Sequence, residues 1–301
     1  MLKKILLFIT SIILSQNAPY FDQDKAFDYL NNQCEIGTRY PGSKEHLKMK
    51  DYLIDFLDNK ADTLIVDKHT IKHPYKDIDI ELFNIIAKYN PKNQHRILLM
   101  AHWDTREIAD KDPDPNHFNI PIIGANDGAS GVAVLMVLAE IFQSYPLNNI
   151  GIDLLFVDGE DMGRSGDINN FSLGTKLFSK SIKNNNDIKF AICLDMVADK
   201  EAEFKMEQFS YMQAEKELKE IWVLANEMGY SEFTFQMQYP IYDDHRALFI
   251  ETGIPAIDII DFDYPYWHTI EDTPDKCSSK TLGIVGSVVS EYIYRMDNGE
   301  Y

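Results

Sequence analysis

Two periods of apolar residues alternate along this chain. "DQDKAFDYLNNQ" (residues 22–33) and "KEHLKMKDYLIDFLDNK" (44–60) space their apolar positions three and four apart, which predicts amphipathic helices. The intervening "GTRYPGS", punctuated by Gly37, Pro41 and Gly42, predicts a loop. "TLIVDKHTI" and "FNIIAKYN" then read as strands joined by a polar connection. "RILLMAH", "GIDLLFVDGED", "KFAICLDMVAD" and "PAIDIIDF" are short apolar runs of the kind buried on both faces of a sheet. Helical patterns separate them: "GVAVLMVLAEIF", "AEKELKEIWVLANEMG" and "KTLGIVGSVVSEYIY". Such alternation predicts an α/β fold with a mostly parallel, mixed central sheet and helices on both faces. No repeat, low-complexity tract or Gly/Ser/Pro linker divides the chain, so residues 19–301 are expected to form a single domain.

The first residues depart from this pattern. "MLKKILLFITSIILSQNA" places Lys3 and Lys4 before an apolar run from Ile5 to Leu14, followed by small and polar residues. That layout predicts a secretory signal over residues 1–18, cleaved near Ser15 to Ala18, and hence an exported, periplasmic or secreted protein. Its apolar run is too short to span a bilayer comfortably, no other stretch approaches that length, and no cysteine follows to carry a lipid. The protein is therefore expected not to span a membrane.

Composition narrows the function. Of 301 residues, 45% are hydrophobic and 12% aromatic, ample for a packed core. A formal charge of -19, from 29 Lys and Arg against 48 Asp and Glu, excludes a phosphate-tracking surface and with it nucleic-acid binding. Cys34, Cys193 and Cys277 are widely separated, with no CxxC spacing, so any metal must be held by His, Asp and Glu. One disulfide is compatible with an oxidising compartment.

Ionisable residues collect where the apolar runs end. "RILLMAH" leads into His102 and Asp104, "DLLFVDGED" into Asp158, Glu160 and Asp161, "AICLDMVAD" into Asp195, and "PAIDIIDFDYPYWH" into His268. "IIGANDGASG" brings Asp127 to a Gly-rich turn before a helix. In an open parallel sheet the loops at the carboxyl ends of strands converge on one crevice. His102, Asp127, Glu160, Asp161, Asp195 and His268 should therefore meet. Singly, Asp127 could cap a helix and His268 could be a core imidazole. Crowded together, such groups call for a cation, and oxygen and nitrogen donors without thiolate suit a catalytic Zn²⁺.

"AHWD", "GANDGASG", "DGED", "LDMV", "YDDH", "GIPAIDIID" and "PYWHT.ED" occur in that order. Together they resemble the zinc-dependent aminopeptidase family and, within it, the glutaminyl cyclases (glutaminyl-peptide cyclotransferases), especially the bacterial branch. The resemblance implies one Zn²⁺ held by Asp127, Asp161 and His268, with Glu160 as general acid/base. It implies an acidic pair, Asp195 and Asp243, near the substrate's amine and leaving amide, and Trp267 on the wall of the substrate pocket. Trp103, Asp244 and Asp258 are further candidates for the substrate site. Asp161 stands where animal cyclases and many aminopeptidases have glutamate, and Asp258 replaces the histidine of animal cyclases. His102 and Asp195 complete the ligand set of a two-zinc aminopeptidase, which leaves a second metal open.

The resemblance implies substrates that are peptides or proteins with N-terminal glutamine, converted to pyroglutamate with loss of ammonia. A monomer is expected. A secreted two-zinc aminopeptidase is the alternative; a binding domain that has lost catalysis would be expected to lack ligands, and none is missing.

Overall fold

In the computed structural model, which describes residues 18–183 and 187–301, the chain opens with α1 (Gln23–Ile36) and α2 (Lys44–Leu57). Asp22 and Ser43 cap them, each side chain accepting from a backbone N–H three residues on, at Lys25 and His46. Next come β1 (Thr63–Lys72), β2 (Asp79–Tyr89), β3 (Arg96–His102), α3 (Ala129–Ser144), β4 (Gly151–Val157), α4 (Leu173–Ile182) and β5 (Ile188–Asp195). The remainder is β6 (Phe204–Glu207), α5 (Gln208–Glu227), β7 (Phe233–Gln238), α6 (Asp244–Thr252), β8 (Ala256–Ile260) and α7 (Ser279–Asp297). Residues 1–17, which hold nearly all of the expected export signal, lie outside the described residues. Ala18 donates its backbone N–H to the buried Glu291 carboxylate at 2.9 Å.

The main sheet has the order β1-β2-β4-β3-β5-β8. β4, β3, β5 and β8 run parallel, while β2 is antiparallel to both β1 and β4, so the sheet is mixed as expected. Alternation along the buried strands sorts their side chains to two faces. Ile97, Leu99, Ile192, Leu194, Ile257 and Ile259 pack with the apolar sides of α1, α3, α5 and α7. Leu98, Met100, Leu155, Ala191 and Cys193 pack with Phe178 of α4 and Leu248 of α6 on the other face.

α4 and α6, the cover of that second face, are not among the helices expected from the sequence. α6 reads "DHRALFIET" and buries Asp244 and His245 beside Ala247 and Leu248, so polar residues occupy its inner stripe and mask the helical pattern. β6 and β7, a separate parallel pair, are also short and escape notice. α5 begins before the expected Ala214, which instead sits at a kink with φ -151° and ψ 50°. All three cysteines are free thiols. Among the described residues no helix is long and apolar enough to cross a membrane.

Candidate active site

Strand termini and the turns after them deliver the ionisable residues to one place. Asp127 sits in the turn before α3, Glu160 and Asp161 follow β4, Asp195 ends β5, and His268 lies in the loop after β8. His268 Nε2 is 3.4 Å from Asp127 Oδ2 and 3.3 Å from Asp161 Oδ1, and all three residues are buried. One ligand atom from each lies within 4.8 Å of the others. Asp127 Oδ2 and Asp161 Oδ2 have no hydrogen-bond partner. Buried carboxylate oxygens left without donors around an imidazole fit a divalent cation with hard oxygen and nitrogen ligands.

Supporting contacts make this trio more than a cluster of acids. Arg106 Nη1 donates to Asp161 Oδ1 at 2.7 Å, and the same guanidinium grips Asp110 through Nε and Nη2 at 2.7 and 2.8 Å. Asp110 Oδ1 in turn lies 3.4 Å from His268 Nδ1, the ring nitrogen turned away from the trio. A carboxylate behind a ligating histidine orients the ring and sets its tautomer. Two further buried carboxylates hold the ligand-bearing turns by their backbones. Asp104 accepts from the N–H groups of Glu160 and Asp161, and Asp272 from those of Asn126 and Asp127. Arg39, itself fully buried, donates to the carbonyls of Trp103, Ile123 and Gly124 and so fixes the loop leading to Asp127.

The backbone is strained at the same place. Of the non-glycine residues with positive φ, His268 (55°) belongs to the trio, Met196 (48°) follows Asp195, and Ser172 (54°) donates from its N–H to the Glu160 carbonyl. Gly128 (φ 108°) follows Asp127, and a Cβ there would meet the Asp104 carbonyl oxygen at 2.6 Å, so glycine is required on both counts.

A second group of side chains able to hold a metal shares Asp127. His102 Nε2 is 3.2 Å from both Asp127 Oδ1 and Asp195 Oδ1, while its Nδ1 is 3.2 Å from the Asp104 carbonyl. Burial works against charge on His102, but Asp104, Asp127 and Asp195 prevail and raise its pKa well above the usual imidazole value.

These groups open onto a cavity of about 490 Å³ whose lining includes Glu160, Asp195, Asp243, Phe262 and Trp267. Trp267 stacks obliquely on its neighbour His268, with ring centroids 4.0 Å apart, and packs on Phe262 at 4.9 Å. Trp267 thus lines this cavity. Trp103 is elsewhere. It is fully buried in the main core, stacked on His46 at 4.6 Å, with its indole N–H given to the Phe83 carbonyl. Its apolar ring completes the packing beneath β3, and it does not line the cavity.

Asp244 and Asp258 also lie behind the wall. Both are 0% exposed, and neither lines the cavity. Asp258 pairs in register with Cys193 and points to the face covered by α6. There a ligand atom of each of Cys193, Asp243 and Asp258 falls within 4.8 Å of the others. Asp243 alone of these acids reaches the cavity, and it caps α6 through its side chain. Burial, then the charge of Asp243, pushes Asp244 up to about 8 and Asp258 well above the carboxylate range. Burial likewise raises Glu160 well above its usual value, reinforced by Asp243 and Asp161, and brings Asp195 to about 7.

The geometry matches a known family. Residues 84–293 match Peptidase family M28. The chain belongs to peptidase family M28. Within that family it is similar to a glutaminyl cyclase of Bacteroides thetaiotaomicron, with 35% identity, 92% of this chain and 99% of that chain covered, and a TM-score of 0.88. A leucine aminopeptidase precursor from the same organism is similar to a comparable degree: 35% identity, 92% and 98% coverage, TM-score 0.87. The glutaminyl-peptide cyclotransferase of Bos taurus is more distant, 21% identical over 288 residues, covering 85% of this chain and 77% of its own.

Arg106, Asp110, Asp104 and Asp272 were not singled out as site residues from sequence. Arg106 and Asp110 are four apart in "TREIAD", an acid and a base in the loop directly after "AHWD", which is the one local signal of their pairing.

Proposed function

We propose that this M28 protein is a zinc-dependent glutaminyl-peptide cyclotransferase, acting on the N-terminal glutamine of peptides and proteins to form pyroglutamate and ammonia. The observation that carries this reading is the cavity itself: acids at its base, and the Trp267–Phe262 wall rising beside the ligand His268. Asp127, Asp161 and His268 would hold the Zn²⁺, which when bound supplies a Lewis acid for the γ-carbonyl oxygen of the glutamine side chain. Glu160 takes a proton from the α-amine as that nitrogen bonds to the side-chain amide carbon, Cδ, and returns it to the amide nitrogen as the old Cδ–N bond breaks and ammonia leaves. Its raised pKa suits a group that must both accept and donate, and engagement of Asp161 by a cation offsets part of the upward push. Asp195 and Asp243, both facing the cavity, orient the amine and the leaving amide. The aromatic wall excludes water from a reaction whose nucleophile is already within the substrate.

One metal is sufficient on this reading. His102 Nε2, 3.2 Å from both Asp127 and Asp195, then serves as a hydrogen-bond partner to these carboxylates rather than as a ligand. The second reading, a two-zinc aminopeptidase, is favoured by that same complete ligand set and by the likeness to the aminopeptidase precursor. Incubating the purified protein with a Gln-initiated peptide and with Leu-p-nitroanilide separates the two. Loss of ammonia from the peptide with the anilide intact is expected, with about one zinc per chain by elemental analysis. Release of free leucine product, two zincs, and loss of activity on stripping the second would favour the peptidase.

Residues 1–18 are proposed to be removed during export, on the strength of their charge and apolar layout. N-terminal sequencing of protein recovered outside the cytoplasm tests this.

A further inference from the structure

β7 exposes large apolar side chains at alternate positions. Phe235 is 52% and Met237 50% exposed, and Tyr239, just past the strand's end, is 56% exposed. Phe233, the alternate position before them, is buried on Phe204, and the pairing with β6 shifts register before Met237, so the exposed set begins at Phe235. The residue between the first two, Gln236, is tied to Glu203 through Nε2 and Oε1 at 3.1 Å. Single exposed apolar residues are ordinary, whereas a row of them marks a contact surface. Among the described residues β6 is the one strand paired with β7.

The row runs into the catalytic cavity. Tyr239 lines that cavity and packs edge-on against Phe262, at 6.1 Å and 87°, and Phe262 meets Trp267. Across the mouth stands Ile168, 49% exposed, on a loop whose carbonyls at Asn169 and Phe171 are held by Lys176 Nζ. If the first residue of a substrate reacts beside Asp127, Asp161 and His268, the residues after it must leave through this mouth. From Tyr239 back to Phe235 the chain covers roughly 13 Å at about 3.3 Å per residue, the reach of about four extended substrate residues.

We infer that Phe235, Met237 and Tyr239 dock the segment that follows the N-terminal glutamine, and that the substrates are polypeptides with apolar or aromatic residues in those positions. The inference rests on the cyclotransferase reading and deepens it. Acidic residues in the same positions are disfavoured, since Glu203 and Asp263 share one cation, Lys205, and leave this surface net negative in a chain of net charge -19.

Steady-state rates on glutaminamide and on two Gln-initiated heptapeptides, one with Leu and Phe after the glutamine and one with Ser and Asp, test it. The wild type should prefer the apolar heptapeptide. A Phe235→Ser/Met237→Ser double variant should keep its kcat/KM on glutaminamide while its KM for the apolar heptapeptide rises about tenfold at unchanged kcat. Phe235→Leu with Met237→Leu should restore the wild-type KM. Equal rates on both heptapeptides, or an equal loss on glutaminamide, would overturn the inference. So would a dimer, seen by sedimentation, that the double variant abolishes while peptide kinetics stay unchanged; the row would then join two copies of the chain. Wild-type turnover that ignores the row defeats this inference alone, whereas no turnover on any glutaminyl substrate defeats the cyclotransferase reading and this inference with it.

Discussion

Asp161, with the half-buried Asp110 behind it, on one side of the site, and the fully buried Asp244 and Asp258 on the other, are treated by the fold in opposite ways. Burial would raise the pKa of the first two, but His268 and Arg106 outweigh it and hold both carboxylates ionised, below their usual range. Asp244 and Asp258 have no arginine or lysine within ion-pair distance among the described residues; the basic group beside Asp258 is His245 Nδ1, at 3.4 Å, with Asp243 also close by. Burial dominates there, and these acids keep their protons near neutral pH. One group is thereby prepared to hold a cation and the other to hold protons. Asp195, pushed to about 7 and bonded to His102, stands between the two.

The sharpest way to break this contrast is to remove charge from the metal trio. Asp161→Asn leaves Arg106 and His268 facing an amide, and metal content measured after dialysis should fall to trace levels, taking turnover with it. If the variant retains stoichiometric zinc and full activity, the trio is misassigned. Glu160→Gln should keep the metal while kcat drops by on the order of 10² to 10⁴, the scale of general acid/base catalysis. A fully active Glu160→Gln enzyme would remove the proton carrier from the proposed mechanism.

A smaller effect is expected one layer out. Asp110→Asn withdraws the charge behind His268 and should weaken zinc affinity by about 10- to 100-fold, read by competition with a chelator, with kcat at saturating zinc changed less than in Glu160→Gln. Unaltered affinity would mean that Arg106 alone organises the trio.

The mildest change sharpens the proton-holding side. Asp244 has its folded-state pKa raised, so the stability it contributes is full below the unfolded carboxylate value near 4 and is lost as pH climbs through about 8. Asp244→Asn cannot ionise. Between pH 5 and pH 8 its urea midpoint should fall less than that of the wild type. Parallel pH profiles for the two proteins would show that Asp244 is ionised in the fold after all.

How much of this was legible beforehand differs from residue to residue. The strands of the main sheet, and the meeting of Asp127, Glu160, Asp161, Asp195 and His268, followed from apolar runs that end in ionisable groups, because parallel strands deliver their carboxyl ends to one edge. Trp267 beside His268 was likewise local information. Trp103 and Asp258 were not decidable in that way. Trp103 is next in the chain to His102, yet its ring turns into the core because β3 is central in the sheet and α2 supplies His46 to stack on it. Asp258 alternates with Ile257 and Ile259, so the strand's period puts it on the opposite face, but only the neighbouring β5 and the polar inner stripe of α6 make that face a buried acidic pocket. The sequence by itself determined the period of each element and the chemistry carried at its end. Sheet order and the packing of distant helices decided which acids met Arg106 and His268 and which were buried with other acids and no arginine or lysine, since charge in a buried site is governed by neighbours that the chain brings in from far away.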